Sequence, residues 1–419
     1  MSEKISIAFI GCGSFARNFI RLFQLHPMVE KVYVCDLIAE KAEAYARQFS
    51  VEVIGSFEEV LKRRDINAVA IFAQRHLHGP LVLRALSAGK HVYSAVPMAS
   101  EVEQCQAIVE KVKETGLTYM MGETCYYYPS SMFCRYKFQE GFFGKFVYGE
   151  AQYHHDISHF SAEFRADRRA AGVPPFYYPT HSTAMLLAAA NSYCTRVVAF
   201  GYEDTEGDGI FEKGVNLWDN VFSNSYSLMK LANGGTARIN ECRRLGYKAP
   251  SSYVSSFYGT KGAYQFNNAQ HILTKLTEKG VDCLDVSDEV NPMEMTRHKG
   301  EPDFKLRVAN HQWQWCDFSP VQQQEYDRLP ESFKQHGSIN GHMASHQLLV
   351  DDFCKAMYLG KLPVVNAWQA ARWTIPGLLA HQSALRDGEP IQVPDCGEAP
   401  KGYIPDIAYR FESWRRFLD

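Results

Sequence analysis

Tyr178 and His181 stand three residues apart where an apolar helical stretch begins, with Pro179 fixing the backbone between them. Residues three apart on a helix share a face, so a phenol and an imidazole can converge on one substrate carbon. Imidazole exchanges protons near neutral pH. A free phenol ionises near pH ~10, so Tyr178 can act as a base only where a neighbouring positive charge, such as that of His181, favours its phenolate. The plainer alternative is a helix-entry aromatic beside a histidine bonded to backbone.

A second chemical pattern lies near the start of the chain. The apolar run Ile5 to Ile10 leads into Gly11-Cys12-Gly13-Ser14-Phe15-Ala16, then an apolar-periodic stretch, then Val32-Tyr33-Val34-Cys35-Asp36. Glycine lets the backbone turn tightly at Gly11 and approach a pyrophosphate at Gly13, while Ala16 permits close packing of helix on strand. The helix N-terminus then faces the phosphates. Asp36, closing the second strand, can accept both ribose hydroxyls and would repel a 2′-phosphate, so the cofactor expected is NAD. Oxidised nicotinamide would be a further positive charge available to Tyr178.

These residues need a scaffold, and the pattern of elements supplies one. After Asp36 come a helix over 39–48, a capping box at Ser56-x-x-Glu59, a buried strand from Ala68 to Phe72 and a helix ending at Gly89. A strand from His91 to Ala95 follows, then a helix capped by Ser100-x-x-Glu103 and a strand from Leu117 to Met121. Strands alternating with helices at this spacing predict an α/β domain over 1–124, a doubly wound parallel sheet of the Rossmann type. From Lys145 the texture changes to alternating stretches at 145–157, 195–202, 220–231, 235–243, 252–258 and 263–267, with turn signals at Asn233-Gly234-Gly235 and Gly259-Thr260-Lys261-Gly262. They predict a second, α+β domain over 125–419 built on an open, largely antiparallel sheet. Helices are expected at about 181–192, 342–359 and 366–386, and the polar segment 268–338 reads as an irregular excursion.

Composition narrows the function. A chain of 419 residues exceeds one core. A net charge of −3 with no basic stripe argues against nucleic acid. The 11 cysteines include no Cys-x-x-Cys pair and read as buried reduced thiols. No apolar run approaches the ~20 residues a bilayer span needs, and a first strand beginning by Ile5 leaves no room for an export signal. The expectation is a cytoplasmic protein with no membrane partner.

A nucleotide domain followed by an open sheet, with His76-x-His78 after the fourth strand and Ala88-Gly89-Lys90-His91-Val92 before the fifth, resembles the Gfo/Idh/MocA oxidoreductase family. Members generally place Glu-Lys-Pro after that strand, the lysine reaching nicotinamide and the hydroxyl being oxidised. Here the tripeptide is Ala95-Val96-Pro97, and valine carries no proton. The segments Met120 to Tyr126, Tyr153 to Asp156 and Tyr178 to His181 are similar to the NAD-dependent α-N-acetylgalactosaminidases of the same superfamily, which carry Glu-Val-Pro at that place. Their Asn after Met-Gly-Glu is Thr124 here, and their Trp-x-Trp-His is Ala73-Gln74-Arg75-His76.

The resemblance implies that Ala73, Gln74, His76, His78, Ala95, Val96, Pro97 and Thr124 border the cofactor, joined by Glu123 at a strand end. It implies transient oxidation at C3 of a sugar or glycoside, removal of the C2 proton by Tyr178, loss of the C1 substituent, addition of water and return of the hydride, with His181 handling the C3 hydroxyl proton. NAD is then recycled. The alternatives are a sugar or polyol dehydrogenase with net hydride transfer and a non-catalytic NAD-binding regulator. Tyr153, His155 and Asp156 at a strand end, and Arg165, Arg168 and Arg169 in the loop before Tyr178, are candidate substrate contacts. His154 and His155 point to opposite strand faces, so no metal is expected. An open sheet face predicts a homo-oligomer, dimer or tetramer.

Overall fold

β1 (Ile5–Ile10) is buried along its whole length, as a central parallel strand flanked by helices must be. With β2 (Val29–Cys35), β3 (Glu52–Val53), β4 (Ala68–Ile71), β5 (His91–Ser94) and β6 (Tyr119–Met121) it forms an all-parallel sheet in the order β3-β2-β1-β4-β5-β6. Strand order reverses between β1 and β4, which opens a crevice beyond their carboxyl ends. The computed structural model describes residues 4–245, 253–266, 270–290, 295–297, 306–308, 319–335 and 344–400.

The helices flanking this sheet are α1 (Arg17–Leu25), α2 (Ala39–Phe49), α3 (Phe57–Lys62), α4 (His78–Ser87) and α5 (Val102–Thr115). α1 buries Phe19, Ile20, Leu22 and Phe23, and each such side chain contributes roughly 1.5–3 kcal/mol when fully buried. Ser56 caps α3, its Oγ accepting from the Glu59 N–H at 3.2 Å. The cap expected at Ser100 does not form: Glu101 is the residue before α5, and its side chain makes no capping bond to the helix backbone. The far end of the chain returns to this sheet, where the helix Ser345–Leu359 sets Phe353 5.7 Å from Tyr93 and His346 4.4 Å from Phe19.

After α6 (Pro129–Gln139), the second sheet contains β7 (Phe146–His154), β8 (Cys194–Glu203), β9 (Phe222–Leu231), β10 (Thr236–Cys242), β11 (Tyr253–Gly259), β12 (Gly262–Phe266), β13 (His271–Thr277) and β14 (Gly280–Asp285). Their order is β14-β13-β12-β11-β7-β10-β9-β8, with Ile391–Gln392 at the edge. β7 and β10 run parallel and the other pairs antiparallel. The hairpin 271–285 corrects the expectation of an irregular segment over 268–338. All six residues of β14 are exposed, so no alternation of apolar and polar residues marked it.

The short α7 (Ala162–Ala166) lies in the loop before Tyr178. α8 (Thr180–Ala190) is apolar nearly all round and buries ten residues, because it lies between the second sheet and the helix Ala367–Leu385. Gly377 of that helix makes the close approach possible, since a Cβ there would stand 2.3 Å from Pro179 Cγ and 2.6 Å from Phe176 O. Thr183 Oγ1 donates to Trp373 O at 2.8 Å, pinning the first turn of α8.

Candidate active site

The entry to α8 and the end of β6 bring three protonatable groups into one chain. His181 Nε2 lies 3.2 Å from Tyr178 OH, and His181 Nδ1 lies 2.6 Å from Glu123 Oε1. Glu123 is wholly buried and also accepts the Cys125 N–H at 2.9 Å. Burial alone would raise its pKa, but the charge of His181 and hydrogen bonds from His181, Thr180 and Cys125 outweigh it and hold the carboxyl below its ordinary value. A carboxylate at Glu123 requires His181 to donate from Nδ1, which leaves Nε2 of the neutral ring to accept the Tyr178 proton. This is the ordering of a base oriented by a third group. Glu123, expected to border the cofactor, thus faces His181.

Burial pushes Tyr178 up to about 12, opposed by two guanidinium groups. Arg75 lies 4.5 Å from the centre of the Tyr178 ring, and Arg243 lies 5.8 Å from it. Neither was among the candidate residues. Arg75 replaces the second Trp of the pattern quoted above, and that departure was the available signal; Arg243, just past β10, left none. Tyr153 closes the other side, its ring edge-on to His181 at 5.0 Å and stacked on Tyr253 at 5.0 Å.

The remaining substrate candidates lie further out. His155 stacks on Phe160 at 4.6 Å. Asp156 Oδ1 accepts the Ser158 N–H at 2.8 Å and caps a short turn. Arg165 and Arg168 are exposed, and Arg169 is paired with Asp167 at 3.0 Å on the surface. Among the described residues, Glu123, Cys125 and His181 form the one group with metal-ligand atoms mutually close, a proximity accounted for by the hydrogen bonds above.

The cofactor candidates line the carboxyl edge of the parallel sheet. Gly11 has φ +100°, and a Cβ there would stand 2.7 Å from Phe72 O. Gly13 has open space where a Cβ would be, and Gly13 and Ser14 are exposed. Ala16 is buried at the start of α1, and Phe15 packs edge-on to Phe19 at 5.1 Å. Asp36 anchors the turn through Oδ2 to the Cys12 N–H at 2.7 Å and Oδ1 to the Ile38 N–H at 2.8 Å. Ala73, Gln74 and His76 form a half-buried rim, with His76 Nδ1 buried and unpartnered. Thr124 is buried, and its Oγ1 is likewise unpartnered. Ala95 and Val96 are buried, and the Val96–Pro97 bond is cis. His78 is buried away from this rim; its Nδ1 lies 2.7 Å from Pro97 O and its Nε2 3.0 Å from Ala73 O, so it clasps the loops after β4 and β5. The open cradle at Gly13, the turn at Gly11 and the anchored Asp36 fit a dinucleotide.

Residues 5–123 match the family described as "Oxidoreductase family, NAD-binding Rossmann fold". A glycosyl hydrolase family 109 protein from Streptomyces filamentosus is 25% identical, with 94% of this chain and 77% of that protein covered. An alpha-N-acetylgalactosaminidase from Shewanella oneidensis is 27% identical over 37% of this chain and 36% of its own length. Among solved structures, the oxidoreductase domain protein from Kribbella flavida superposes with a TM-score of 0.73 at 16% identity, covering 94% of this chain and 100% of its own. Levoglucosan dehydrogenase in complex with NADH and levoglucosan gives 0.68 at 16% identity, with the same coverage. No helix among the described residues is long and apolar enough to cross a membrane. Over residues 5–123 the chain matches the oxidoreductase family with the NAD-binding Rossmann fold, and along most of its length it is similar to proteins named glycosyl hydrolase family 109.

Proposed function

We propose that this enzyme cleaves a glycoside by transient oxidation at C3 and elimination across C1 and C2, with NAD recycled in each turnover. The observation that carries the reading is the chain Tyr178–His181–Glu123, closed by a buried carboxylate, in a site where the family's lysine position is Val96. Gly11, Gly13, Ser14 and Asp36 would hold the dinucleotide, with Ala73, Gln74, His76, Ala95, Pro97 and Thr124 along the rim. Bound there, NAD supplies reversible hydride acceptance.

The protein's own groups supply the proton chemistry. His181 Nε2 takes a hydroxyl proton, and the Glu123 carboxylate stabilises the imidazolium that results. Tyr178, its own proton first lost to solvent, takes the proton from the carbon beside the oxidised one as a phenolate, a form that burial disfavours and that Arg75 and Arg243 favour. Tyr153 walls the pair, its buried ring stacked on Tyr253 and approached by Arg243. Net dehydrogenation is the second reading, favoured by the same observation, because a histidine backed by a carboxylate can replace the lysine as acceptor of the hydroxyl proton.

The reading is tested with α- and β-linked aryl glycosides and NAD in deuterated water. Cleavage with deuterium at C2 and no net NADH is expected; NADH accumulating with free sugars, and no cleavage, would establish the dehydrogenase. Tyr178→Phe should abolish cleavage while NAD remains bound, and full activity in that variant would remove Tyr178 from its role.

The reading also includes self-association and a cytoplasmic setting. Phe200 and Leu228 are each 54% exposed on neighbouring strands β8 and β9, with Tyr202 and Tyr226 beside them. Apolar faces of this kind are usually covered by a second copy. The free thiols, eight of them buried, suit a reducing compartment.

A further inference from the structure

The charges around Tyr178 do not balance. Arg75 is half-buried over the phenol ring, its Nε is buried without a hydrogen-bond partner, and among the described residues no carboxylate lies within ion-pair distance of it. Arg243 is buried 5.1 Å from the Tyr153 ring and 5.8 Å from that of Tyr178. The nearby carboxylates are already engaged. Glu123 binds His181 and the Cys125 N–H. Glu241 accepts from Ser182 Oγ at 2.5 Å and lies 3.6 Å from Arg243 Nη2.

A half-buried guanidinium whose buried Nε has no partner is unfavourable without a counter-ion. Its planar fork matches a carboxylate, sulfate or phosphate in geometry as well as charge. The Gly11–Gly13 turn at the end of β1 provides a separate place for the cofactor's phosphates. The arginines of the outer loop cannot substitute, since Arg165 is exposed and Arg169 is paired with Asp167.

We propose that Arg75, with Arg243 beside it, receives an oxyanion substituent of the sugar, a carboxylate, sulfate ester or phosphate ester, held next to the carbons on which Tyr178 and His181 act. The proposal rests on the reading of this site as a sugar site and names the class of sugar it selects.

Calorimetric binding to the NAD-loaded protein tests it without requiring turnover. Glucuronate, glucose 6-sulfate and glucose 6-phosphate are compared with glucose, and the galacto series likewise, in wild type, Arg75→Met and Arg75→Lys. At least one charged sugar should bind about 10- to 100-fold tighter than its neutral parent, the scale of a charge-assisted hydrogen bond. Which of the three does so identifies the oxyanion. Arg75→Met should erase the preference, and Arg75→Lys should restore part of it. Equal binding of charged and neutral sugars by wild type, or no binding of any charged sugar, would overturn the proposal. A loss of NAD affinity in Arg75→Met with the sugar preference intact would assign the charge to the cofactor's phosphates and overturn it too. A charged-sugar preference in a protein that cleaves no aryl glycoside would leave this proposal standing and refute the cleavage chemistry instead.

Discussion

Glu241 should make the protein lose stability as pH rises, and Glu241→Gln should remove most of that loss. The carboxyl is wholly buried on β10, with Ser182 and Arg243 as its polar neighbours. Burial raises its pKa from an ordinary 4.5 to about 8, more than Arg243 and Ser182 lower it. Between these two values the folded protein holds a proton that the unfolded chain has released. Stability is therefore greatest below about pH 4.5, falls as pH climbs and levels off above about 8. At 1.36 kcal/mol per pH unit, the whole displacement is worth about 5 kcal/mol.

Gln keeps the shape and the bond to Ser182 without the charge. For a chain of this length, with an unfolding entropy near 2.1 cal/mol/K per residue, about 5 kcal/mol corresponds to roughly 5 °C in Tm. Melting curves of wild type and Glu241→Gln at half-unit steps from pH 5 to 9 should converge at the acid end. They should separate by several degrees at the alkaline end, with the variant the more stable. Parallel curves across that range would refute the argument that burial dominates at this carboxyl.

Two further expectations concern the site and the assembly. Glu123→Gln removes the carboxylate behind His181 and should lower kcat about 10- to 100-fold with little change in KM, the scale of one hydrogen bond to a charged group. It should also displace the acid limb of the pH–rate profile; an unmoved profile would reduce Glu123 to packing. Sedimentation at micromolar concentration should show an oligomer that Leu228→Glu weakens, and a monomeric wild type would exclude the β8–β9 face as an interface.

The sequence made the parallel sheet legible because its signals are local. Buried runs, a glycine turn and an acidic residue at a strand end each occupy a few consecutive positions, and Ile5–Ile10, Gly11–Ala16 and Asp36 occur in that order. The long strands of the second sheet were readable where one face is buried and the other wet. β14, exposed on both faces, carried no such mark. The Tyr178–His181 pair was legible from helical spacing, but its third member was assigned to the cofactor edge. Glu123 lies 58 residues from His181, and only the packing of α8 against the turn Thr124–Tyr127 that follows Glu123 joins them. Arg243 was hidden for the same reason, since strand pairing across the second sheet brings it beside Tyr153.

With Val96 at the place where the resemblance puts a lysine, the proposed chemistry divides one task between two sets of residues. A lysine beside nicotinamide offers both a positive charge and an exchangeable proton, whereas arginine offers the charge alone, because its guanidinium does not release a proton in a protein. Arg75 and Arg243 therefore supply the field at Tyr178 but cannot serve as its proton partner. In the proposed reading proton exchange falls to His181, whose Nδ1 is held by Glu123 and whose Nε2 is the atom left facing the phenol. Charge and proton can then be perturbed separately: substitution at Arg75 should move substrate preference and the ionisation of Tyr178, while substitution at Glu123 should move kcat. A single lysine would have tied these effects together.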